Sequence, residues 1–363
     1  MAEQQDHRTR LSQEGYQLLK ENRLEEAEAR FQELLDHDPE NNYALVGLGD
    51  IERRRKRMDN AVHYYQRCLA AHPQNSYALF GLAESYRAMR RFKKAVEVWE
   101  RYLEHDSENV TVLTRVADVY RKTRNRERSR ELYLRVLEVE ADNAYALVGL
   151  AHLHYDFKDF ETAKHYWYRM YELHGDTVDI RVLTSLGNCH RKLKTFEQGI
   201  HYFEVALQRE PSNFYALYGL ADCYRGLQQP GESLRYWERI LDVDPHNKVI
   251  LTRAGDAHRG LGDLTTAEQY YHRALNVEYD LFAILGLAII HRRTGRSAEA
   301  IAALDDLASL EPDNTRVFME LAGCYEDQRR YAEALAILSR YMHGTSRPAR
   351  VVRDKIEELT RLL

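Results

Sequence analysis

Residues 43–87 read YALVGLGDIERRRKRMDNAVHYYQRCLAAHPQNSYALFGLAESYR. The stretch closes as it opens, on Tyr-Ala-Leu-x-Gly-Leu followed by a small and then an acidic residue. Tyr43 and Tyr77 mark the two copies, 34 residues apart. A unit of that size cannot bury a core by itself, so it must stack on neighbours of its own kind. Working outward, equivalent positions fall at Tyr43, Tyr77, Thr111, Tyr145, Arg181, Tyr215, Val249, Phe282 and Arg316, in steps of 34, 34, 34, 36, 34, 34, 33 and 34.

Each copy reads as two helices. Leu79, Leu82, Ala83 and Tyr86 recur at helical spacing, and Ala95, Trp99 and Tyr102 do so again further on. The residue before each first helix is Asn41, Asn75, Asn109, Asn143, Asp179, Asn213, Asn247, Asp280 or Asn314. A short side-chain oxygen there accepts from an orphan amide of the first turn, worth about 1 kcal/mol relative to Ala. Pro39, Pro73, Pro211, Pro245 and Pro312 lie two residues earlier and stop the preceding helix.

With those residues in view the chain resembles the tetratricopeptide repeat (TPR) family along nearly its whole length. The family's order of residues is met by Leu79, Leu82, Ala83, Tyr86, Ala95, Trp99 and Tyr102. It is met again by Leu217, Leu220, Ala221, Tyr224, Ser233, Trp237, Ile240 and Pro245, and more loosely by Leu11, Gly15, Leu18, Ala27, Phe31, Leu34 and Pro39. The resemblance implies an all-α fold, a right-handed α-α superhelical solenoid of helix-turn-helix repeats. Its array runs over residues 8–346 as ten repeats: 8–41, 42–75, 76–109, 110–143, 144–179, 180–213, 214–247, 248–280, 281–314 and 315–346. Residues 347–363 form a capping helix opened by Pro348, its apolar stripe being Val351, Val352, Ile356, Leu359 and Leu363. The lengthened junction around Gly175 reads as a longer loop or as a mild hinge between halves of five repeats.

Composition agrees with an array. Only 7 of 363 residues are proline and 30% are charged, which suits many short helices with wet faces. The 57 acidic and 52 basic side chains leave a net charge of −5, so bulk charge argues for neither nucleic acid nor membrane. The N-terminus lacks a signal-peptide core and no segment has the length of a membrane span, so a soluble, cytoplasmic protein without membrane insertion is expected. Cys68, Cys189, Cys223 and Cys324 are scattered and read as buried fillers.

Catalytic motifs are missing: no phosphate loop, no nucleophile elbow, no His-Glu-x-x-His. His152 and His154 point to different faces of one helix, and His154, His190, His258 and His291 recur at a core aromatic position. No catalytic residue, cofactor or metal is assigned.

The resemblance places function on the concave face, at the second, fifth, sixth, ninth and twelfth residues of each first helix. The second is Tyr43, Tyr77, Tyr145, Tyr215 or Phe282, and the fifth includes Phe80 and Tyr218. Gly47, Gly81, Gly149, Gly219 and Gly286 stand at the sixth, where close helix packing and a shallow ligand pocket are equally good readings. Other repeats carry Arg115, Ser185 or Arg253 there, giving a rhythm near 68 residues that a long extended ligand would share. The twelfth position holds Arg53, Arg87, Arg121, Arg191, Arg225, Arg259 and Arg292. Asp50, Glu84, Asp118, Asn188, Asp222 or Asp256 precedes all but the last by three residues, as an intrahelical pair or as a guide that steers the guanidinium toward a ligand carboxylate. No fifth position carries Lys, which disfavours a clamp for a partner's C-terminal carboxylate.

Turns inside the repeats are basic in the N-terminal part, with Lys56, Arg90, Arg124, Lys158 and Lys194 at the position where the family often has Gly. The expectation is a non-enzymatic scaffold that binds an extended segment of another protein in its concave groove. Two alternatives stand beside it: a solenoid binding RNA or another polyanion through the basic edge, and a regulatory subunit of an enzyme acting in trans.

Overall fold

The computed structural model describes residues 2–345 and 349–362, the side chains of residues 2–5 and 176 excepted. Pro348 and Leu363 therefore lie outside the described residues. Among those described, 21 α-helices and one short 3-10 turn, Gly175–Thr177, account for all regular structure, with no strand. The fold is an all-α array of stacked helix pairs.

Two compact units divide the chain, Met1–Asp176 and Thr177–Leu363, at the lengthened junction. The N-terminal half holds five helix pairs, from Ala2–Lys20 with Leu24–His37 to Ala144–Asp156 with Phe160–His174. The C-terminal half holds five more, from Ile180–Leu193 with Phe196–Arg209 to Thr315–Asp327 with Tyr331–Gly344, followed by Arg350–Thr360. In that last helix Val352 and Leu359 are fully buried and Ile356 half-buried, but Val351 is 51% exposed and leaves the expected stripe. Positions 352, 356 and 359 share one face, and residue 351 is rotated about 100° off it.

All nine predicted N-caps accept from an amide of the following turn, for example Asn75 from Ala78 at 2.9 Å and Asp280 from Phe282 at 2.8 Å. Inside every repeat the first helix ends in a residue with positive φ. Only Gly262 and Gly295 are glycines there; the others are Asn22, Lys56, Arg90, Arg124, Lys158, Lys194, Gln228 and Arg329. The next amide closes the turn onto a carbonyl five residues back, as Arg57 does on Glu52 at 2.9 Å.

A ladder of arginines ties successive repeats. From the second helices Arg67, Arg101, Arg135, Arg169, Arg239 and Arg273 each donate to a carbonyl 28 residues earlier, in the loop that ends the preceding repeat. Arg239 reaches Pro211 at 2.6 Å. The accepting residues lie just past the C-caps of the preceding helices, where a cation suits the C-terminal end of the helix dipole.

Candidate binding groove

The first helices present large rings to solvent directly after their caps. Tyr77 and Tyr145 are 77% and 78% exposed, and Tyr43, Tyr215 and Phe282 are exposed as well. In the N-terminal half two of these rings line cavities. One, of about 690 Å³, is walled by Tyr16, Tyr43, Val46, Asp50 and Tyr77 together with side-chain amides. A second, of about 440 Å³, is walled by Arg53, Tyr77, Phe80, Tyr102 and Asn109. They share Asp50, Ser76 and Tyr77, so the concavity runs across the first repeats with Tyr77 at its middle.

Tyr16, Tyr102 and the amides escaped the sequence reading. Tyr16 belongs to the divergent first repeat, and Tyr102 comes from a second helix. Gln13, Gln17, Asn42, Gln74 and Asn75 add donor-acceptor pairs to the larger cavity. Asn75 differs from most of the other asparagine caps. Asn41, Asn109, Asn143, Asn213 and Asn247 each donate to a carboxylate three residues earlier, but His72 stands at that place before Asn75. Its amide therefore has no acceptor among the described residues.

The arginines are anchored rather than extended toward a ligand. Arg53 meets Asp50 at 3.0 Å, and the Tyr65 hydroxyl donates to the same carboxylate at 2.7 Å. The trio recurs as Arg121, Asp118 and Tyr133, and as Arg259, Asp256 and Tyr271. Burial, then the neighbouring carboxylate, pushes the phenols of Tyr65, Tyr133 and Tyr271 far up. Burial opposes the charge of Arg53, yet Tyr65 and Asp50 outweigh it and raise the guanidinium. Arg87 pairs with Glu84 at 2.6 Å and Arg115 approaches the same carboxylate at 3.6 Å. In the C-terminal half Arg191 and Arg225 share Asp222 at 2.6 and 2.7 Å, Arg253 lies 3.9 Å from Asp256, and Arg292 grips Asp327 from two nitrogens. Burial alone would raise the Asp222 carboxyl, but Arg225 and Arg191 hold it below its ordinary value. Tyr218 packs edge-on against Trp237 at 5.2 Å.

The glycines are accounted for by packing. A Cβ on Gly47 would stand 2.5 Å from the Phe31 ring, and Gly81, Gly149, Gly219 and Gly286 face Tyr65, Tyr133, Phe203 and Tyr271 in the same way. Each ring comes from the second helix of the preceding repeat. Where that ring is Trp99 or Trp237, the next repeat has Arg115 or Arg253 instead of glycine. The 68-residue rhythm thus follows the identity of a buried ring, and a ligand is not needed to explain it.

Lys56, Arg90, Arg124, Lys158 and Lys194 are exposed, with φ between 58° and 63°. They do not make one uniform edge, because Lys158 stands between Asp156 and Asp159. Histidines behave as packed residues. His154 meets the cap residue Asp159 at 2.8 Å, His190 meets Thr195 at 2.8 Å, and His258 stacks on Tyr270. His7, Glu33 and His37 could bring three ligand atoms within 4.8 Å of one another, the one such group among the described residues. Arg10 and Arg30 already contact His7 and Glu33 there, which works against a bound cation. No helix among the described residues is long and apolar enough to cross a membrane.

The tetratricopeptide repeat profile matches residues 13–76, 114–176, 224–280 and 285–347, and a second profile of the same description matches 52–113. The chain belongs to the tetratricopeptide repeat family, whose members are generally scaffolds for protein interaction rather than catalysts. No curated protein matches it in sequence. The structure of PilF from Pseudomonas aeruginosa is similar over 58% of this chain and 96% of its own, at 16% identity and a TM-score of 0.50, a likeness of fold. A tetratricopeptide repeat protein from Parabacteroides merdae covers 76% of this chain and 95% of its own at 16% identity and a TM-score of 0.40. MamA covers 45% and 95% at 18% identity and 0.43.

Proposed function

We propose that the N-terminal half binds an extended segment of another protein along the two cavities that meet at Tyr77, and that the chain works as a non-enzymatic scaffold. The observation that carries this is the exposure of Tyr43 and Tyr77 inside a concavity rimmed by side-chain amides. Rigid rings supply contact area at small entropic cost, and amides match the donors and acceptors of a peptide backbone. Arginines neutralised by their own carboxylates favour a segment held by shape and backbone over one gripped by its charges. Burial pushes the thiols of Cys68 and Cys324 up to about 11, so they stay protonated and act as packing residues; the location we propose is cytoplasmic.

Selection from a displayed random-peptide library tests the proposal. Peptides enriched on the wild-type protein should bind the Tyr43→Ala/Tyr77→Ala variant at least tenfold more weakly, since interface tyrosines are frequent hot spots of about 2 kcal/mol. Equal affinity for the variant would move the binding site elsewhere.

A further inference from the structure

The largest imbalance of charge lies outside the groove, on the turns inside the second, third and fourth repeats. Residues 87–94 hold five cations and no carboxylate, and residues 121–130 hold six cations and one carboxylate. Much of this charge is neutralised locally: Arg55 by Glu28 at 2.8 Å, Arg87 by Glu84 at 2.6 Å, Arg121 by Asp156 at 3.0 Å and Arg128 by Glu131 at 2.7 Å, with looser pairs from Arg57 to Glu52, Arg91 to Asp59 and Arg126 to Asp159. Lys56, Arg90, Lys122 and Arg124 are exposed, with no carboxylate within 4.0 Å among the described residues. Between two of the turns lies a cleft of about 420 Å³ lined by Arg90, Phe92 and Lys122, with no acidic residue in its wall; Arg87, paired with Glu84, closes its inner side toward the groove.

Lys56, Arg90 and Arg124 adopt φ of 62°, 58° and 63°, where a residue with a Cβ costs roughly 1–2 kcal/mol. Gly262 and Gly295 make the same turn in the C-terminal half, so the fold accepts glycine there. That conformation is common to the array, since Asn22, Gln228 and Arg329 adopt it too; what marks the second to fourth turns is a basic side chain in three successive repeats that faces no carboxylate within 4.0 Å among the described residues. Acidic neighbours bound the ridge: Glu21, Glu25 and Glu26 surround the first turn, and Asp156 and Asp159 flank the fifth.

We propose that these three turns form a docking ridge for an acidic, extended protein segment, separate from the groove. The first helices of the second and third repeats pack on each other, and packed helices lie ~10 Å apart, so a turn-to-turn step is roughly 10 Å and three turns span about 20 Å. At ~3.3 Å per residue that is about six residues of extended chain, so a twelve-residue segment covers the ridge with room at both ends. Single-stranded nucleic acid fits less well. Tyr86, Phe92, Tyr120 and Phe157 are buried or half-buried, so the ridge has no open ring for base stacking. The net charge of −5 also repels a long polyanion, whereas a short segment feels only the field within a screening length of about 8–10 Å.

A fluorescein-labelled dodecaglutamate peptide is the probe, followed by anisotropy at low and at physiological salt. Wild type should bind with affinity that falls as salt rises, and Lys56→Gly/Arg90→Gly/Arg124→Gly should weaken it about tenfold, in keeping with field-driven association. The same variant should melt no lower than wild type. Should it melt lower, Lys56→Gln/Arg90→Gln/Arg124→Gln keeps the native turn chemistry and must still lose the peptide. Tyr43→Ala/Tyr77→Ala should leave peptide binding intact, which separates this ridge from the groove. The ridge is overturned if wild type shows no salt-dependent binding, if the glutamine variant binds as wild type does, or if a twelve-nucleotide RNA binds more tightly than the peptide.

Discussion

Phe31 lies between two bare backbones: a Cβ on Gly47 would stand 2.5 Å from its ring, and one on Gly15 2.6 Å. Gly15 belongs to the same repeat and Gly47 to the next, so the ring is held by both and is fully buried. Tyr65 between Gly49 and Gly81, and Phe203 between Gly187 and Gly219, repeat the arrangement. Gly47→Ala should destabilise the protein by about 1–3 kcal/mol through overpacking, even though alanine is the better helix former by about 1 kcal/mol. Urea unfolding measures it. Combined with Phe31→Leu, the cost of Gly47→Ala should shrink, because the two changes share one contact; a stabilising Gly47→Ala would refute the packing role.

The arginine ladder makes a second prediction. Arg239→Met keeps most of the apolar stem but removes the hydrogen bond to the Pro211 carbonyl. A loss of about 0.5–1.5 kcal/mol is expected for a hydrogen bond of this kind. Thermal melts of the variant that coincide with wild type would show that water replaces the guanidinium without cost.

These two cases mark what the sequence discloses. Caps such as Asn75 and turns such as Lys56 to Arg57 are settled by residues a few places apart, so their roles follow from local chemistry. The exposed rings of Tyr43 and Tyr77 were equally legible, since their positions follow from the 34-residue register. Gly47 was ambiguous because the ring that requires it sits 16 residues earlier, on another helix. The sequence offers Asp50 either as an intrahelical partner of Arg53 or as its guide toward a ligand; the pair forms, but the Tyr65 hydroxyl that Asp50 also accepts from comes from the second helix and has no local signature. The arginines at 67, 101, 135 and 169 have the full repeat period and could have been found by it; their carbonyl acceptors carry no side-chain signature.

Acid should loosen the C-terminal half at a defined place. Arg296 donates to both oxygens of Glu268 at 2.8 and 2.7 Å, and His291 lies 3.5 Å away, joining two repeats. The Arg296 hydrogen bonds lower the Glu268 carboxyl from 4.5 to about 2. A depressed carboxylate contributes stability that is full above its unfolded pKa and disappears as pH falls through the folded one. Glu268→Gln should therefore melt below wild type at pH 7, and the gap should close between about pH 4.5 and 2. A gap that persists at pH 2 would assign the loss to packing instead.

The groove is tested most directly by photocrosslinking. Benzoylphenylalanine in place of Tyr77 should form an adduct with a library-selected peptide on irradiation, and the same probe in place of Lys56, on the turn ridge, should not. Mass spectrometry of the adduct should place the peptide against Tyr43 or Tyr102 of the flanking helices. Adducts at position 56 with none at 77 would contradict the groove assignment.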